Sequence, residues 1–260
     1  MKYLFLSIIA TIGFIASSFI ALTASSNIGR QATEITLTVA DESIAYPKAA
    51  ITNFKYTISK DSVQFDYSLS DYTLGNQTPD AASKSCANSA KGQHIHLLLN
   101  NLPYEAWYLP SFKKRLAEGH YVALSFLSRS YHESIKISSA FVLKQFNVGK
   151  NEGTTIGDIN LKQPLLFFSR PKGEYIGNDT KKILLDFYLI NTKLSSKGNK
   201  LRATINGKEF IITDWKPYFI EGLPMGESTI KLELLNKNNQ PVSKDLMFQT
   251  IERKITLKEK

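Results

Sequence analysis

The chain has 260 residues, of which 43% are hydrophobic, and a formal net charge of +9. That apolar content excludes wholesale disorder, and the length suits one large domain or two small ones. Cys86 is the only cysteine, so an internal disulfide is excluded and stability must come from a packed core.

In chain order, Lys2 precedes YLFLSIIATIGFIASSFIALTASS, and no further charge follows until Arg30. A basic start, an apolar run and the small residues Thr23-Ala24-Ser25 read as a secretory signal over residues 1–26. The run also reaches the length of a membrane span, so an uncleaved anchor, with membrane contact through residues 3–24 alone, is the alternative. Both readings export the remainder to the periplasm or the cell surface. The lysines are scattered rather than clustered. A solvated surface accounts for them. An anionic envelope or extracellular ligand is the partner they would favour, and nucleic acid is not expected.

After the export segment the chain repeats itself. VQFDYSL, HIHLLLNNLPY and RLAEGHYVALSFLSRS are followed by ILLDFYL, LRATINGKEF and EGLPMGESTIKLELLNK. Asn100-Asn101 aligns with Asn206-Gly207, Tyr104 with Phe210, Leu116 with Leu223 and Gly119 with Gly226. The offset of roughly 106 residues is the size of a domain rather than of a solenoid unit. Apolar residues recur every second position, as at Val63, Phe65 and Tyr67 or Ile230, Leu232 and Leu234, which marks strands with one face on a core. These patterns predict an all-β chain with β-sandwiches at 31–146 and 161–260. The glycine-rich stretch 147–160 is the expected linker, and the first copy carries a long insertion at 73–93.

The pattern L-x-x-G-x-x-x-I-x-L-x-L at Leu223 to Leu234, with PLLFFSRPKGEY from Pro164, resembles bacterial immunoglobulin-like modules. The resemblance implies two tandem immunoglobulin-like domains and says nothing of activity. GQHIHLLLNNLPY with FLSRSYHESIK resembles a group of exported bacterial proteins, some described as phosphopeptide-binding. That description implies an S-x-x-H motif and an earlier Gly-Arg. Ser128 to His132 has a different spacing, and the Gly-Arg pair, Gly29-Arg30, precedes the first domain.

All four histidines lie in the first copy. If HIHLLLN is strand C and HYVALSFL strand F, the two are antiparallel neighbours, and the start of C lies beside the end of F. His94 and His96 then share one strand face about 7 Å apart, near Arg129, Tyr131, His132 and Glu133, while His120 falls at the opposite end. Two imidazoles on one face, with His132 as a third, are a candidate zinc or copper site, and Cys86 on the insertion is a further candidate ligand. Plain outward surface is the alternative, since Lys200 and Arg202 hold the aligned positions. The same end is a candidate recognition surface, with Arg129 for an anion, Tyr131 for stacking on a sugar, and His132 and Glu133 beside them. In this reading the first domain binds and the second supports, so binding should survive removal of residues 160–260. No G-x-S-x-G, phosphate-cradling glycine loop or H-E-x-x-H is present, and an enzyme is not expected.

Overall fold

Alternating sequence becomes alternating burial. In the strand Ser62–Ser70, Val63, Phe65 and Tyr67 are buried while Gln64 and Asp66 are half-buried. The protein is described from a computed structural model that covers residues 34–149, 159–242 and 246–260. The expected signal or anchor at 1–26 and residues 150–158 of the expected linker lie outside these. The described residues form strands and four short 3-10 turns.

Strand β1 (Thr36–Val39) joins the second half of the chain. In the first half, β2 (Ala50–Ser59), β3 (Ser62–Ser70) and β6 (Ser111–Arg115) make one sheet in the order β2-β3-β6. The facing sheet holds β4 (His94–Leu99), β5 (Glu105–Trp107), β7 (Gly119–Ser128) and β8 (Phe141–Val148) in the order β5-β4-β7-β8. Between them lie Val63, Phe65, Ile95, Leu97, Phe112, Leu127 and Phe146. Strands β4 and β7 are antiparallel neighbours, as strands C and F should be, with His94 opposite Ser128 and His96 opposite Phe126. Strand β8 runs to Val148, into the stretch expected to be linker.

The second half repeats the plan. Strands β9 (Leu165–Arg170), β10 (Gly173–Ile176), β11 (Ile183–Ile190), β12 (Lys200–Ile205), β13 (Lys208–Ile212), β14 (Tyr218–Glu221), β15 (Gly226–Leu235) and β16 (Thr250–Lys258) form two sheets. Their orders are β1-β14-β11-β9 and β10-β16-β15-β12-β13. The protein is thus two tandem immunoglobulin-like β-sandwiches. Residues 31–146 were expected to stay together, yet β1 pairs antiparallel with β14 and forms an edge of the second sandwich. The tight turn at Asn206-Gly207 has positive φ at both residues, and the aligned Asn100-Asn101 takes the same conformation.

The two sandwiches share a third core. Leu98, Val122, Leu124 and Phe126 on the outer face of β4 and β7 pack against Leu165, Phe167, Tyr188, Ile190 and Phe248. The described residues accordingly form one compact unit. Polar clasps seal this interface. Asn101 Nδ2 donates to the carbonyls of Leu166 and Met247, and its Oδ1 accepts from Phe168 N–H. Asp186 is fully buried, pairs with Lys136 of the first half and accepts bonds from Ser134 N–H and Oγ. Removing one partner of a buried ion pair costs about 3–5 kcal/mol. Asp186→Ala should therefore lower unfolding free energy by about that amount, measured by denaturant titration. A loss below about 1 kcal/mol would contradict the role given to this pair.

Candidate metal centre

Strand register brings the first two histidines together. Residues 94 and 96 of β4 point to one face, and that face is the one covered by the second sandwich. Both imidazoles are fully buried, so neither is the outward surface residue that the aligned Lys200 and Arg202 suggest. The third histidine arrives on the turn between β7 and β8. His132 N–H donates to Arg129 C=O, and Arg129 N–H to Glu133 C=O, closing a three-residue hairpin loop. Its last position is usually glycine because it needs positive φ. Here it is His132 at φ 68°. A non-glycine residue held there costs roughly 1 kcal/mol or more and points to a functional constraint.

The three rings converge. His94 Nε2 lies 2.8 Å from His96 Nε2 and 3.0 Å from His132 Nδ1, and all three ligand atoms fall within 4.8 Å of one another. For nitrogens about 2.0–2.1 Å from a tetrahedral zinc, ligand atoms stand roughly 3.3 Å apart, so small rotations admit an ion. The outer nitrogens are fixed from behind. His94 Nδ1 donates to the Gly92 carbonyl at 2.8 Å, which leaves Nε2 with a lone pair. His96 Nδ1 bonds Ser169 Oγ of the second sandwich at 3.2 Å. Such partners behind the ring set tautomer and orientation in metal sites.

Electrostatics agree with neutral ligands. Burial pushes the His94 imidazole down to about 4, against a smaller upward pull from the Gly92 carbonyl. Burial likewise holds His96 and His132 well below their ordinary value, helped by the neighbouring imidazoles and by Arg170. Unfolded histidines titrate near 6.5 and bind more protons than the folded ones below that pH. Stability of the metal-free protein is therefore expected to fall as pH drops from about 6.5 to about 4, by up to about 1.4 kcal/mol per pH unit for each histidine. Chelator-treated protein melted across that window checks this, and a flat profile would contradict it.

Gly92 supports the site by its backbone. Its φ is +80°, and an added Cβ would stand 2.3 Å from Gly75 O and 2.5 Å from Asn76 O. Gly92→Ala should destabilise by at least about 1–2 kcal/mol and displace the carbonyl that orients His94. We expect about 10–100-fold weaker metal binding in a calorimetric titration, with unchanged affinity as the contrary result.

The remaining sequence candidates stand elsewhere. Arg129 pairs with Glu133 at 3.0 Å and bonds the carbonyls of Ile44 and Ser134, with both side chains buried. It is not free to take an anion, and Glu133 faces Ser43 and Arg129 rather than the histidines. Tyr131 is 1% exposed and donates to the Asp80 carboxylate, so it offers no stacking surface. Cys86 packs with Ala40, Leu184 and Phe219, away from the three-histidine group, and burial pushes its thiol up to about 11. His120 bonds Asn147 and Gln145 at the far end of β7.

Sequence reasoning missed Tyr104, Ser169, Arg170 and Lys172. The Tyr104 ring lies flat on His96, centroids 3.5 Å apart, with Oη 3.2 Å from His132 Nδ1. Three of these four come from the second sandwich, which was assigned only a supporting role.

No protein-family model and no curated protein matches the chain. Among solved structures it is similar to the fibronectin(III)-like modules of Clostridium thermocellum CbhA, with 10% identity, 87% of this chain and 95% of that one covered, and a TM-score of 0.28. It is also similar to the two tandem V-type regions of VCBP3, a v-region-containing chitin binding protein, with 10% identity, coverage of 86% and 99%, and a TM-score of 0.21. A third is the Bacteroides ovatus mixed-linkage glucan utilization protein SGBP-B with a bound heptasaccharide, with 9% identity, coverage of 87% and 71%, and a TM-score of 0.22. The immunoglobulin-like assignment rests on the strand order of this chain itself.

Proposed function

We propose that the protein is an exported, non-enzymatic binding module of the cell envelope that holds a zinc or copper ion on His94, His96 and His132, where its two sandwiches meet. The carrying observation is the convergence of three imidazole nitrogens within 4.8 Å at a buried site. His94 Nε2 stands at hydrogen-bond distance from both other nitrogens, and one proton can bridge only one such pair, whereas a cation satisfies all three. Imidazole suits both zinc and copper, and with Cys86 outside the group no thiolate tips the choice toward a soft ion. His132 is the only partly exposed member, so an ion would enter past its ring. Because Ser169 orients His96, the ion would also brace one sandwich against the other. Export is supported by the sequence of residues 1–26.

The test is titration of residues 28–260, purified without a metal-affinity tag, with zinc and with copper by calorimetry and elemental analysis. One ion per chain at micromolar or tighter affinity supports the reading. A ratio near zero for both metals would sink it.

A further inference from the structure

We propose that Tyr104 is the fourth ligand of this centre, binding the ion through its phenolate oxygen. The inference rests on the metal reading above and deepens it. Two independent features carry it.

The first is position. Tyr104 follows the β4–β5 turn, is 1% exposed, and brings its Oη to 3.2 Å from His132 Nδ1. Its ring is fixed by the His96 stack, 3.5 Å between centroids and 10° between planes. Tyr108 also stands near His94, but its hydroxyl is paired with Ser89 Oγ at 2.7 Å.

The second is charge. Arg170 and Lys172 lie over the Tyr104 ring, Arg170 also over Tyr175, and Arg253 lies over Phe168 and donates to the carbonyl of Asn101. Both arginines are more than nine-tenths buried. Among the described residues none of the three cations pairs with a carboxylate; Arg253 donates to the carbonyls of Ser169 and Asn101, and Lys172 to that of Tyr104. A dication on three neutral imidazoles beside these cations needs a negative charge in the same pocket. A phenolate on Tyr104 would supply it once the ion displaces the proton that burial otherwise holds on the phenol against the pull of Arg170. Arg170 also has an unused donor: its Nε is buried without a partner, and its guanidinium carbon lies 5.4 Å from the Tyr104 ring centroid.

The binding step balances simply. The Tyr104 Oη–H bond breaks as the oxygen–metal bond forms, and the proton passes to the buffer. No electron moves, so copper added as Cu(II) remains Cu(II).

The experiment is a Cu(II) titration of residues 28–260 followed by visible absorption, resonance Raman scattering and electron paramagnetic resonance. We expect a phenolate-to-copper charge-transfer band with tyrosinate vibrations, saturating at one ion per chain. Tyr104→Phe should still bind one copper through nitrogen ligands, about 100–1,000-fold more weakly, without the band and with one fewer proton released. Copper bound through nitrogens with no tyrosinate signature in the unaltered protein would overturn the role of Tyr104 while leaving the three-histidine centre standing. A band that persists in Tyr104→Phe would do the same. Absence of copper binding in the unaltered protein would overturn both.

Discussion

Replacing His94 and His96 together by alanine is expected to reduce metal binding from one ion per chain to none detectable. The whole free energy of a structural zinc is about 10–16 kcal/mol, or roughly 2.5–4 kcal/mol for each of four ligands. Losing two of three imidazoles should remove about 5–8 kcal/mol, roughly four to six powers of ten in affinity. Both rings are buried, so the double variant also loses the packing of His96 against Tyr104 and Phe126 and of His94 against Tyr108. His132→Ala is the companion measurement, because His132 is partly exposed and sits on a turn. It should bind at least tenfold more weakly with the same circular dichroism as the parent. Unchanged metal content in both variants would show that the histidines serve packing alone.

Removal of residues 160–260 should abolish both metal binding and stable folding. An autonomous first sandwich would retain the site, since all three histidines lie within it. The structure argues against that outcome for two reasons. Ser169, which orients His96, would be lost. The shared core would be opened, exposing Leu98, Val122, Leu124 and Phe126. At about 1.5–3 kcal/mol for each large apolar side chain, these four alone represent roughly 6–12 kcal/mol, comparable to the entire stability of an ordinary domain. The measurement is a thermal melt with zinc titration of residues 28–159 beside residues 28–260. A cooperative transition and stoichiometric zinc in the shorter chain would refute the interdependence of the halves.

Strand order was legible because it follows from local rules. Period-two patterning, the positive-φ pair at Asn206-Gly207 and the repeated copies lead to sandwiches whose strands β4 and β7 pair as expected. That register placed His94 beside the turn carrying His132. What the first half packs against is a different kind of information. Period-two alternation in β4 gives one core face with Ile95, Leu97 and Leu99 and leaves the face of His94 and His96 open to solvent. The second face, however, continues into Leu98 and meets Leu124 and Phe126 across the register. A strand apolar on both faces reads as one covered from both sides. HIHLLL and VALSFL carry that signal, and it foretells burial of the histidines without identifying what buries them.

Ser169, Arg170 and Lys172 were beyond sequence reasoning because they reach the site only through the sandwich–sandwich interface. His132 was found by proximity along the chain, yet its stronger mark is conformational. It occupies the loop position where glycine is the easy choice, and its ring is thereby turned toward His94. Arg129, Tyr131 and Glu133 lie in the same turn or next to it but face the segment 41–46 and the 73–93 insertion, because alternate residues of a tight turn project to opposite sides.

The most direct measurement is an anomalous difference map at the zinc absorption edge from crystals of residues 28–260 grown with zinc. One strong peak is expected about 2 Å from His94 Nε2, His96 Nε2 and His132 Nδ1, between the two sandwiches. A peak elsewhere, or none at these three nitrogens, would contradict the three-histidine centre.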